Sequence, residues 1–294
     1  MNKIAKPIVH QKAIIGEGAL WDHTKKLLYW VDILGQKVFI YDPKTNENRE
    51  FLVGHDVGTV VPRRSGGLML AVRDGFASLN TETGEVKILK DTEADIPTNR
   101  FNDGKCDPAG RFWAGTMGYD WLKPASGSVY ILHADLSVRK VIEPVGCSNG
   151  LVWTRDGKTM YYIDSMTWEI HRYDYDVNSG DISNKRVAVS IAKEIGLPDG
   201  MAIDENDNLW VAMYGGGAVC CWNPKTGELL ETIDVPGARL VTSCAFGGEN
   251  LTDLYITTGN NGLSEEERKQ QPNCGALFKV ELKVKGTPAH FFQG

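Results

Sequence analysis

The chain has 294 residues, 42% hydrophobic and 24% charged, with a formal net charge of −6. That composition suits an ordinary globular protein able to bury a core without staples, and its sign and even spread of charge argue against a nucleic-acid surface. No run approaches the roughly 18 apolar residues that cross a bilayer, and the first residues lack an apolar leader, so the expectation is a cytoplasmic protein with neither membrane nor nucleic-acid partners.

Residues 8–14 precede the first repeat and are expected to form a strand that completes the last blade from the other terminus, hiding an edge. From there one pattern recurs six times: Gly or Ser, three mostly apolar residues, a polar turn, an aromatic-rich strand, a further strand and a hairpin. It opens at Gly18, Gly58, Gly104, Gly150, Gly200 and Ser243, at intervals of 40 to 50 residues. That is the blade length of a propeller. The second strands fall at 28–31, 68–71, 112–115, 161–164, 209–212 and 254–257, rich in the aromatic and β-branched residues that suit a pleated, half-buried surface. Turns such as Asn80-Thr81-Glu82-Thr83-Gly84 and Asn223-Pro224-Lys225-Thr226-Gly227 follow the third strands. Residues 263–270 are the one segment expected to be helical. The pattern predicts an all-β fold, a six-bladed β-propeller spanning 1–294 as one domain.

One position before each repeat start stand Glu17, Val57, Asp103, Asn149, Asp199 and Thr242. Equivalent positions in a propeller share height and radius, so these side chains are expected to ring the channel mouth. Carboxylates converging on one axis repel each other, and a hard divalent cation with oxygen ligands resolves the conflict. The alternative is that Asp103-Gly104, Asn149-Gly150 and Asp199-Gly200 are only turns. Arg100, just before Asn102 and Asp103, has the fixed donors to anchor a polyhydroxylated or anionic molecule, or serves a structural ion pair. Residues 117–127 form a long Gly- and Pro-containing connection of the kind that acts as a lid. The six cysteines, Cys106, Cys147, Cys220, Cys221, Cys244 and Cys274, show no CxxC spacing and read as buried free thiols. No GxSxG elbow or HExxH motif is present, which sets aside a serine hydrolase and a zincin.

The segments Gly16-Glu17-Gly18-Ala19-Leu20-Trp21-Asp22, Arg100-Phe101-Asn102-Asp103-Gly104-Lys105-Cys106-Asp107, Gly115-Thr116-Met117, Ser148-Asn149-Gly150-Leu151 and Leu197-Pro198-Asp199-Gly200 carry a family likeness. The sequence resembles the regucalcin (SMP-30), gluconolactonase and luciferin-regenerating enzyme family from about residue 10 to residue 282. The resemblance implies one divalent metal ion, calcium or zinc foremost and manganese or magnesium otherwise, held in the central channel by Glu17, Asn149 and Asp199. It implies substrate contacts at Arg100, Asn102 and Asp120, and places Asn102 rather than Asp103 towards the cavity. The activity expected is hydrolysis of a small-molecule lactone, a sugar-derived ester, to its aldonic acid by a monomer or weak oligomer, with Asp199 as general base. A calcium-binding regulatory protein and a metal-dependent phosphotriesterase are the alternatives.

Overall fold

The structure, a computed structural model, describes residues 2–120 and 125–294. Among the described residues six sheets, five of four strands and one of five, follow one another around a central channel, each running from an inner strand outwards through antiparallel neighbours. The inner strands are Gly16–Asp22, Val57–Pro62, Asn99–Cys106, Ser148–Trp153, Leu197–Ile203 and Val241–Gly247, and define blades 1 to 6. They are buried almost throughout, whereas the outer strand of blade 1, Glu47–Leu52, is half-buried to exposed along its length. This gradient is why the sequence reads as continuous apolar runs near the axis and charged runs at the rim. The core lies between neighbouring blades, where Trp30 stacks on Phe39 at 4.2 Å and Trp210 meets Phe246 edge-on at 5.7 Å. All six cysteines are buried free thiols.

The two termini close the ring. Lys6–Val9 forms the outermost strand of blade 6, antiparallel to Leu277–Glu281. It therefore sits earlier than the expected 8–14. After Val9 the chain leaves the sheet: Lys12 adopts a left-handed φ of 56°, Ala13 donates to Gly275 O, and Ile14 and Ile15 donate to the Asp32 carboxylate in blade 1. Lys3–Ile4 adds a short parallel strand to blade 5. The helix is Glu265–Gln270, opened by a capping box between Ser264 and Glu267.

In blades 1, 3 and 5 an aspartate at the end of the inner strand ties it to an aromatic residue of the next strand. Asp107 is fully buried and accepts from Arg111 Nε at 2.6 Å, Trp113 Nε1 at 2.8 Å, Tyr175 OH at 2.8 Å and the amides of Ala109 and Arg111 at 3.0 Å. Asp22 receives Tyr29 OH and Asp204 receives Trp210 Nε1 in the same way, each at 3.1 Å. The aromatic ring thus fills the gap between blades while its polar tip satisfies a carboxylate that caps the turn.

The C-terminal segment crosses the channel at the far ends of the inner strands. Thr287 donates to Ile203 O, Phe292 to Pro62 O and Gln293 to Gly110 O, and Phe292 is fully buried. One mouth of the channel is therefore strapped, and the other is where the polar ring residues gather. Among the described residues no helix is long and apolar enough to cross a membrane.

Candidate functional site

Each of the six inner strands slips register against its second strand at the same repeat position. The irregularities lie between Glu17 and Leu20, Val57 and Thr59, Phe101 and Gly104, Asn149 and Leu151, Pro198 and Met201, and Val241 and Ser243. A bulge re-aims a side chain out of the normal alternation. Asn149-Gly150 and Asp199-Gly200 are therefore bulges within strands and not turns. A glycine follows because the next blade comes close: a Cβ on Gly150 would stand 2.6 Å from Met201 Cβ, and one on Gly200 would stand 2.6 Å from Ser243 Oγ.

At the open mouth lies a cavity of about 180 Å³ whose wall includes Glu17, Arg100, Asn102, Asn149 and Asp199. Five of the six residues that the resemblance implies as ligands or substrate contacts thus meet in one place, from blades 1, 3, 4 and 5. Thr242 also lines it, but its hydroxyl donates to Gly16 O at 2.5 Å and so turns into the backbone. Val57 is fully buried and is not part of that wall among the described residues. Asp120 is exposed, two residues past the strand Phe112–Gly118, and is not part of that wall among the described residues. Of the expected lid, residues 121–124 lie outside the described residues.

The electrostatics are unusual for a protein interior. Glu17 and Asp199 are 3% and 8% exposed, and each carboxyl group acts on the other's titration. Burial, then the charges of Asp199 and Asp103, push Glu17 well above the usual carboxylate range; Asp199 is raised by burial and then by Asp103. Gly18 N softens this by donating to Glu17 Oε2 at 2.7 Å, and the Arg100 charge and the Gly200 amide soften it at Asp199. Asp103, also raised by burial, is partly offset by Lys105, whose ammonium donates to Met201 O at 2.7 Å. Among the described residues no cluster of three or more His, Cys, Asp and Glu side chains is placed to hold a metal. The expected donor set contains two such residues and an amide.

Arg100 is 7% exposed, and burial lowers its pKa. Its Nη1 donates to Phe101 O at 3.0 Å and Asn102 Oδ1 at 2.6 Å, and its guanidinium lies 6.0 Å from the Tyr119 ring. Tyr119 is in turn anchored to Asp56 in a 2.5 Å hydrogen bond. Sequence reasoning missed Tyr119, Tyr214, Met117 and Cys147 as wall residues. Met117 lay within a quoted motif, but nothing in spacing separates a wall aromatic from a core one. Burial and the nearby Asp199 push the Cys147 thiol up to about 12.

A family model described as SMP-30/Gluconolactonase/LRE-like region matches residues 15–260. The chain belongs to that family. Among its relatives, regucalcin of Xenopus laevis is 41% identical over 98% of this chain and 97% of its own length. The putative sugar lactone lactonase YvrE of Bacillus subtilis is 42% identical over 94% of each chain. A luciferin-regenerating enzyme structure superposes with a TM-score of 0.92 at 33% identity, covering 99% of both chains. The SMP-30-like region contains every cavity residue named above.

Proposed function

We propose that this member of the SMP-30/gluconolactonase family is a metal-dependent hydrolase that opens a sugar-derived lactone to the aldonic acid. The observation that carries the reading is the meeting of two buried carboxyl groups, Glu17 and Asp199, with the amide of Asn149 in the wall of one cavity that Arg100 also lines. Buried like charges need a counter-charge, and an all-oxygen set of two carboxylates and an amide fits a hard divalent cation. Glu17, Asn149 and Asp199 would hold it, and calcium, zinc, manganese and magnesium all accept such donors. When bound, such an ion supplies Lewis-acid polarisation of an ester carbonyl and compensates the charge that develops there. The family names of the relatives, gluconolactonase and sugar lactone lactonase, fit an ester of this kind.

The chain's own groups do the rest. Asp199 faces the cavity and takes the proton of the attacking water. Arg100 retains donors beyond the Nη1 bonds it makes, and with Asn102 orients the hydroxyls of the lactone. Asp120, which follows the wall residue Tyr119, would contact a distal hydroxyl. Pocket walls such as Leu34, Leu197 and Tyr214 exclude bulk water from the reacting carbonyl.

The test is pH-stat hydrolysis of D-glucono-δ-lactone by chelator-stripped protein with calcium, zinc, manganese and magnesium restored singly. Turnover above the spontaneous rate with at least one ion is the expected result. No turnover on this and a panel of pentonolactones, with binding retained, would favour a calcium-binding regulatory protein; turnover of a phosphotriester alone would favour the phosphotriesterase.

A further inference from the structure

The orientation of Asn149 is set by a run of hydrogen bonds whose ends allow only one polarity. At one end stands the Arg100 guanidinium, which only donates; at the other, the Pro198 carbonyl, which only accepts. Between them Arg100 Nη1 donates to Asn102 Oδ1 at 2.6 Å and Asn102 Nδ2 to Asn149 Oδ1 at 3.0 Å. Asn149 Nδ2 then donates to Ser165 Oγ at 2.7 Å, and Ser165 Oγ to Pro198 O at 2.6 Å. The four side chains are buried, with Ser165 at 0% exposure.

A serine hydroxyl has one proton. Because Ser165 gives it to Pro198, it faces Asn149 as an acceptor, and the amide nitrogen of Asn149 must point at it. Side branches agree. The second proton of Asn102 Nδ2 goes to Ser148 O at 2.8 Å, and Asn149 Nδ2 also approaches Cys147 Sγ at 3.5 Å. Turning the Asn149 amide over would oppose NH2 to the NH2 of Asn102 and oxygen to the hydroxyl oxygen of Ser165. Its Oδ1 is therefore held towards Asn102, a residue of the same cavity wall, with one lone pair taken by that amide and the second left over.

We infer that Ser165 is a positioning residue for the cation site: it fixes Asn149 as an oxygen donor and locks blade 4 to Pro198, the residue before Asp199 in blade 5. The inference rests on Glu17, Asn149 and Asp199 being the cation's ligands. Ser165 itself needs no hydroxyl to hold its backbone. Its amide donates to Cys147 O, and the carboxylate of Asp164 caps the turn by accepting from Gly146, Cys147 and Met166. Ser165→Ala should keep the turn yet leave Pro198 O and one Asn149 N–H unpaired in the interior. Loss of such an outer partner weakens metal binding by about 10–100-fold.

The experiment is calorimetric titration of Ca2+ into chelator-stripped wild type, Ser165→Ala, Ser165→Cys, Asn149→Asp and the double variant Asn149→Asp/Ser165→Ala, with circular dichroism and melts as checks. The expected result is a Kd raised by about ten-fold or more in Ser165→Ala, and by less in Ser165→Cys, which keeps a donor and covers the case in which the alanine variant does not fold. In the Asn149→Asp background both ligand atoms are oxygens, so removing Ser165 should change Kd by less than about three-fold, a coupling that a general structural defect would not produce. A Kd for Ser165→Ala within about two-fold of wild type, or an equal loss in both backgrounds, overturns the inference alone. If the wild type binds none of calcium, zinc, manganese or magnesium, the metal reading falls, and the role of Ser165 with it.

Discussion

Chelator-stripped protein should lose stability as pH rises, and Asp199→Asn should remove much of that loss. Glu17 and Asp199 are buried and both held above the usual carboxylate range. A carboxyl whose pKa is higher in the folded than in the unfolded chain binds more protons when native. Its favourable contribution is complete below the unfolded value, about pH 4, and is lost as pH climbs through the folded value. Each such group gives a slope of at most about 1.4 kcal/mol per pH unit, and the pair up to about 2.7. Asp199→Asn removes one titration outright and also the second-largest cause of the shift on Glu17, so its slope should not exceed about 1.4 kcal/mol per pH unit from the pair. For a chain of this size 1 kcal/mol corresponds to roughly 2 °C in Tm. Thermal melts by circular dichroism from pH 5 to 8, with wild type and variant in the same metal-free buffers, cancel the surface groups common to both. Wild type should lose several degrees more than the variant over that range. Parallel curves would show that the two carboxyls do not interact in the folded chain and would remove the electrostatic argument for a cation.

Adding a binding cation at a hundred times its Kd should stabilise the wild type by about 2.7 kcal/mol, read as a rise in Tm; Glu17→Gln should lose most of it, and an unchanged rise would put the ion elsewhere. Arg100→Lys should lower kcat/KM by about 10–100-fold, because Nη1 is already committed to Phe101 O and Asn102 Oδ1 and an ammonium in its place has no further planar donors for the substrate. Steady-state kinetics would show it, and wild-type values would exclude Arg100 from substrate binding. Asp107→Ala should cost about 3–5 kcal/mol by urea denaturation, since it strands the Arg111 guanidinium among buried partners; a loss under about 1 kcal/mol would refute the importance assigned to that aspartate. Phe292→Ala should destabilise by about 3 kcal/mol while leaving kcat/KM unchanged, because the strap it anchors closes the opposite mouth. A fall in kcat/KM at a temperature where the variant stays folded would show that the strapped end shapes the site.

The repeat was legible because a propeller blade is a local unit. The spacing from Gly18 to Ser243 and the aromatic second strands specify six sheets by themselves, and a shared repeat position put Glu17, Asn149 and Asp199 at one height without any coordinates. Family motifs then drew attention to Arg100 and Asn102, which stand in the same cavity wall. Tertiary structure alone decided the rest. The dipeptides Asn149-Gly150 and Asp199-Gly200 are compatible with turns, and only strand pairing shows them as bulges that aim the preceding side chains inward. The start of the closing strand, Lys6–Val9 rather than 8–14, follows from hydrogen bonds to Leu277–Glu281 and Gly275, more than 260 residues away. Ser165 carries no motif at all. Its role appears only when Asn149 from the same blade and Pro198 from the next meet on its one hydroxyl. Periodicity and local propensity are written in neighbouring residues, whereas the direction of a hydrogen bond depends on atoms that the fold brings together.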